Sequence, residues 1–312
     1  MKSTSGNIET GTLFIEDVDK VDCCIFDPSQ GIVGHSWSVN IQISGNLDHN
    51  GFVYDFSDLK KSVKQLLKET IDHALLLPIM SSHVKYSDTE TGEHWKLTVH
   101  DRLTSRPNSV WEYHCPKGSV YPLRVHNVTR ELLEQECERI IKHRVSSDIS
   151  HVKVELISEK AAPTAAFFQY THGITNHLGL CQRLFHGHRS LIQVWVGDER
   201  RPDLEHYLAK EVFDKTIHIA SKKQLIQPFN EDETTIGRRG TEGKEVLLEV
   251  DGSMGNYKCK IPAHRVFFVE NQTSIESITK QLAQLIKEKE PNSGKVRVQA
   301  FEGIGKGALF EI

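Results

Sequence analysis

Four side chains in one short stretch could do metal chemistry together: His172, Cys181, His186 and His188. In an extended segment, residues two apart face the same way. His186 and His188 can therefore reach one cation, while Gly187 between them lets the backbone come close. A third ligand must come from another segment, and His172 fits if it lies on a neighbouring strand. Three neutral imidazoles at about 2.0–2.1 Å with one position left open make a catalytic zinc site, whereas structural sites usually close with four ligands and lean on thiolates. The competing explanation is coincidence, since a chain of 312 residues with 17 histidines can yield a His-x-His triplet by chance.

The bulk properties narrow the class. Charged residues make up 26% of the chain and the net charge is −4, so no strongly basic surface argues for nucleic acid. No positively charged leader precedes an apolar run, and no apolar stretch approaches 18 residues. A soluble, cytoplasmic protein without a membrane segment is expected. Six irregularly spaced cysteines suit reduced thiols better than a disulfide framework.

The elements that must position these groups can be read from periodicity. Trp37, Val39, Ile41 and Ile43 alternate as a half-buried strand. Phe52–Phe56 is expected to be short and extended, with Asp55 or Ser57 capping the helix that follows. That helix runs from Asp58 to about Asp72, with apolar residues at Leu59, Val63, Leu66, Leu67 and Ile71. It ends in Asp72-His73. Residues 81–126 look like loop and hairpin, with aromatic strands around Trp95 and Trp111. A second helix starts near Thr129, and Val152–Ile157 reads as a strand leading to Glu159.

The order then begins again. Gly34-His35 before a strand recurs as Gly187-His188, and Trp111 to Thr129 recurs loosely as Tyr257 to Thr273. The strand before Glu159 recurs before Glu302, and each glutamate is followed eight residues later by a phenylalanine, Phe167 and Phe310. Two copies of one α+β unit are expected, residues 1–165 and 166–312.

These residues resemble the 6-pyruvoyltetrahydropterin synthase family, which includes 6-carboxytetrahydropterin synthase. The first copy carries the middle of the family pattern as Gly51-Phe52-Val53-Tyr54-Asp55-Phe56-Ser57-Asp58-Leu59-Lys60, then Asp72-His73. The second carries the metal end as His172, Cys181, His186 and His188. Each half lacks what the other keeps: Val33-Gly34-His35 stands where His-Gly-His belongs, and no Asp-His pair follows in the second copy. The resemblance implies two tandem T-fold units with antiparallel sheets and helices on one face. It also implies one composite site per pair: zinc held by His172, His186 and His188, with Cys181 as base and Asp72 and His73 as a proton relay. Glu302 would anchor a pterin, with Thr273 near it. Without the resemblance, Cys181 reads equally as a buried hydrophobe, Asp72-His73 as a helix C-terminus, and Glu302, like Glu159, as a solvated strand-end carboxylate.

By the same resemblance the substrate is 7,8-dihydroneopterin triphosphate and the product 6-carboxy-5,6,7,8-tetrahydropterin, of the queuosine pathway. The alternatives are the pyruvoyl product and a non-catalytic zinc- or pterin-binding protein. A ring of such units would close with fewer tandem chains, so a homo-oligomer, dimer or trimer, is expected.

Overall fold

The computed structural model describes residues 9–100, 109–175, 182–214, 217–226 and 235–312. The fold is α+β, and its strand order states the internal repeat directly. The first half comprises β1 (Thr10–Asp27), β2 (Gly31–Asn46), α1 (Phe56–Glu69), β3 (Leu75–Pro78), β4 (Val84–Thr89), β5 (Gly92–Val99), β6 (Ser109–Cys115), β7 (Val120–Leu123), α2 (Arg130–Arg144) and β8 (Ile149–Ile157). The second comprises β9 (Ala166–His172), β10 (His186–Val196), β11 (Glu199–Arg200), α3 (Pro202–Tyr207), β12 (Ile217–Ser221), β13 (Glu245–Gly252), β14 (Gly255–Pro262), β15 (Val266–Val269), α4 (Ile275–Lys289), β16 (Val296–Phe301) and β17 (Gly307–Glu311).

One sheet runs β7-β3-β1-β2-β8 and the other β15-β12-β9-β10-β16-β17. The five strands of the first match β15-β12-β9-β10-β16 of the second in order, and the second adds β17 at its edge and β11 beside β10. In each, the short third strand pairs in parallel with the first strand and with the strand before the long helix. In each, the second strand pairs antiparallel with the last. The segments 81–126 and 224–265 fall at the same place in both copies. Their hairpins join into a third sheet, β13-β14-β6-β5-β4, through the antiparallel pair β14–β6. Sequence periodicity shows the strands but not that they share a sheet.

The chain packs as two compact units. The first holds residues up to Val21, Trp37–Asp72 and Thr129–Glu159. Here α1 starts at Asp55, whose carboxylate accepts from the Ser57 and Asp58 backbone N–H groups, and buries Leu59, Val63 and Leu67. Phe52–Asp55 is turn and bend, not the short strand expected, because Asp48 draws the backbone N–H groups of Asn50 and Phe52 onto its side chain. Thr129 caps α2. The carboxylates of Glu134 and Glu138 on α2 accept from the N–H groups of Leu156 and Val154 on β8.

The second unit holds Asp22–Ser36, His73–Val128 and Lys160–Ile312. α4 buries Ile278, Leu282 and Ile286 in a core with Phe168, Tyr170, Val194 and Phe267. A second core gathers Trp95, Trp111, Tyr113 and Tyr257 with Leu184 and Phe185, the two residues that lead into His186. Among the described residues, no helix is long and apolar enough to cross a membrane.

Candidate metal and active site

β9 and β10 bring the histidines together. Their antiparallel register sets His186 opposite His172, and His188 follows on the same face of β10. All three are fully or almost fully buried. A side chain at Gly187 would put its Cβ 2.7 Å from the Gly34 Cα and 2.8 Å from the Cys24 sulfur. Glycine is therefore required by packing at the position between the two histidines.

Two of the imidazoles are held by a carbonyl at Nδ1, and the third has a carboxylate beside it. His172 Nδ1 lies 2.6 Å from the Thr273 carbonyl and His186 Nδ1 3.1 Å from the Arg183 carbonyl. His188 Nδ1 is 3.2 Å from Asp22 Oδ1. A carbonyl or carboxylate at Nδ1 holds the proton there and leaves the Nε2 lone pair unprotonated. None of the three buried Nε2 atoms has a hydrogen-bond partner, and one nitrogen from each ring lies within 4.8 Å of the others. Three orphaned acceptors in one buried spot are costly unless something binds there. Burial, and then the neighbouring imidazoles, hold His172 and His186 well below the usual histidine pKa. The donor set is neutral and nitrogen-rich, which suits a transition-metal ion and not calcium or magnesium.

Asp22 is a residue that sequence inspection missed. Its carboxylate is buried, accepts from the Ser36 hydroxyl at 2.5 Å and lies 3.2 Å from Lys306 Nζ. Burial alone would raise its pKa, but His188, Lys306 and Ser36 outweigh that and hold the carboxyl well below its ordinary range. Gly303, at φ +73°, lets the Glu302–Lys306 turn close over it, since a Cβ there would meet Asp22 Oδ1 at 2.4 Å. A carboxylate behind a metal-ligating histidine fixes its orientation and raises its basicity. Asp22→Asn is expected to weaken metal binding about 10–100-fold, as read by chelator competition.

The other predicted residues divide. Glu302 Oε1 lies 3.8 Å from His172 Nε2 and 4.0 Å from His188 Nε2. The His73 ring stacks on His186 at 5.4 Å between centroids, with 28° between the planes. His73 adopts φ +57°, a left-handed conformation in which histidine is enriched among non-glycine residues. Its N–H donates to the Asp22 carbonyl at 2.6 Å, and its carbonyl accepts from the Arg183 guanidinium at 3.2 Å. Arg183 thus touches His73 through its side chain and His186 through its carbonyl, a positioning role visible only in three dimensions. Thr273 is fully buried: its hydroxyl donates to the Gly173 carbonyl, and its own carbonyl faces His172. Asp72 is buried at the end of α1 in the first compact unit, with its N–H on the Leu67 carbonyl. Cys181 lies outside the described residues.

A fourth buried histidine, His218, contacts the Thr171 hydroxyl at 2.8 Å, and burial pushes its pKa down to about 3. The unfolded chain takes up this proton near pH 6.5 and the folded chain does not. Stability from this group is therefore present above pH 6.5 and lost as the pH falls towards 3, by up to about 1.4 kcal/mol per pH unit. Denaturant midpoints between pH 7 and 4 should show that slope, and His218→Gln should flatten it.

Residues 21–159 match the family model described as 6-pyruvoyl tetrahydropterin synthase. Over that stretch, less than half of its length, the chain is similar to the 6-pyruvoyl tetrahydropterin synthase family. The family match takes in Asp22, Asp72, His73 and Glu159, and the histidine triad lies beyond it. The chain is 32% identical over 85 residues to a 6-carboxy-5,6,7,8-tetrahydropterin synthase of Haemophilus influenzae, covering 26% of this chain and 54% of that protein. A Pyrococcus horikoshii protein given the same name provisionally is 26% identical over 125 residues, covering 40% of this chain and 67% of its own length. The chain thus spans about half the length of the first of these tetrahydropterin synthase relatives. Among solved structures, Plasmodium falciparum 6-pyruvoyl tetrahydropterin synthase aligns with 49% of this chain and 93% of its own, at 20% identity and a TM-score of 0.39.

Proposed function

We propose that this chain is a zinc-dependent lyase. It converts 7,8-dihydroneopterin triphosphate to 6-carboxy-5,6,7,8-tetrahydropterin, a step of the queuosine route, at one site composed from residues of both repeats. The observation that carries this reading is the set of three unpartnered imidazole nitrogens from the second repeat, with His73 of the first repeat stacked on one of the rings. The names of the curated relatives favour the carboxy product over the pyruvoyl one.

In this reading His172, His186 and His188 hold zinc. The metal, when bound, supplies Lewis acidity that acidifies carbon beside the side-chain oxygens of the substrate. Cys181 takes a proton from that carbon as thiolate, the form in which a cysteine acts as base. His73 relays protons on the substrate side chain, with Asp72 setting its tautomer. Glu302, at the rim of the imidazole cluster, accepts from the pterin ring N–H and amino groups in a two-point contact. Residues 1–165 and 166–312 are then two T-fold units of which only the second keeps a metal site. Tandem chains would close a ring as a dimer or trimer in the cytoplasm.

The product decides. Purified zinc-loaded protein given dihydroneopterin triphosphate should yield carboxytetrahydropterin, acetaldehyde and triphosphate by mass spectrometry. A pyruvoyl product would keep the site and change the reaction. Zinc bound without turnover would leave a binding protein.

A further inference from the structure

The third sheet carries a second set of metal-type ligands. Strand alternation turns Trp95, Leu97, Trp111 and Tyr113 into the core and leaves His94, Lys96, Glu112 and His114 on the opposite face. The register of β5 and β6 sets His94 directly opposite His114, and Lys96 opposite Glu112. The two imidazoles stack at 3.9 Å between centroids, only 7° from parallel. Glu112 Oε2 lies 4.0 Å from His94 Nε2, and its other oxygen faces Lys96 at 3.6 Å. His94 Nε2 is buried and makes no hydrogen bond. One ligand atom from each of His94, Glu112 and His114 falls within 4.8 Å of the other two.

We propose that His94, His114 and Glu112 form a second site for a divalent transition-metal ion, bridging β5 and β6 on the outer face of this sheet. Two nitrogens and one carboxylate oxygen match zinc, nickel or copper(II) and fit calcium or magnesium poorly. Lys96 shares only one oxygen of Glu112, and the oxygen facing His94 is the one a metal would take. His114 is exposed, which leaves the site open to an ion from solvent. The bland explanation is a cross-strand pair of stacked rings that steadies the hairpin and binds nothing. The buried, unpartnered Nε2 argues against it, because a purely structural pair would leave that atom to solvent or to a donor.

The test is zinc stoichiometry by calorimetric titration of the full chain, and it does not depend on the enzyme reading. The chelator-treated protein should bind two equivalents. His94→Ala should bind one fewer, and Glu112→Gln should weaken that same equivalent at least about tenfold. His172→Ala/His186→Ala should keep the equivalent that His94→Ala loses. If the triad proves inert, the native chain binds one equivalent, and its loss in His94→Ala still supports the second site. Copper(II) spectra with nitrogen couplings that vanish in both His94→Ala and His114→Ala would identify the ligands without relying on the core variant. Unchanged stoichiometry in His94→Ala and His114→Ala would overturn the proposal.

Discussion

His186→Ala is expected to empty the buried metal site and abolish turnover. His186 is one corner of the three-histidine cluster, 4.2 Å from the His172 ring and 5.3 Å from the His188 ring. It is also the ring on which His73 stacks. Two nitrogens alone do not define a closed face of a tetrahedral ion, so the metal is held far less tightly and its Lewis acidity goes with it. Metal content after gel filtration should fall by one equivalent, and product formation should drop to background. A variant that kept both would remove His186 from the ligand set. His188→Ala should behave alike but also take one partner from the buried Asp22 carboxylate, which keeps Ser36 and Lys306 and so adds only a modest stability cost that His186→Ala does not carry.

The second large effect is on the proton relay. His73→Asn should keep metal binding and lower kcat about 10²–10⁴-fold, the usual contribution of a positioned general acid or base. Asparagine is the informative replacement because it tolerates the left-handed backbone that His73 adopts. The backbone contacts to Asp22 and Arg183 can then survive while the imidazole is lost. Cys181→Ala should give a loss of similar size with zinc still bound. An unchanged kcat in His73→Asn would mean that the ring only packs on His186. An unchanged kcat in Cys181→Ala would remove the thiol from the chemistry.

Much of the site was legible because strand parity is a strict rule. His186 and His188 had to share a face, and any strand paired at the right register could add His172; β9 does so. Helix α1 was legible from its apolar spacing and the Asp55 cap, and α2 from Thr129. What escaped notice was everything fixed by long-range packing. Asp22 is a lone aspartate in a strand, unremarkable until β1, β2 and the Glu302 turn converge on it. Nothing in the local sequence marks Arg183, whose guanidinium is drawn inward onto the His73 carbonyl. The shared third sheet depends on β6 and β14, which no local pattern links. Phe52–Phe56 misled because a mostly apolar run of five residues is too short to outweigh the Asp48 turn before it.

The most direct test is a reversible one. Protein stripped of metal by chelation should bind the pterin substrate but form no product, and one equivalent of zinc should restore turnover in full. Product formation that persisted in metal-free protein would contradict a catalytic role for the three-histidine centre and, with it, the account given for His172, His186 and His188.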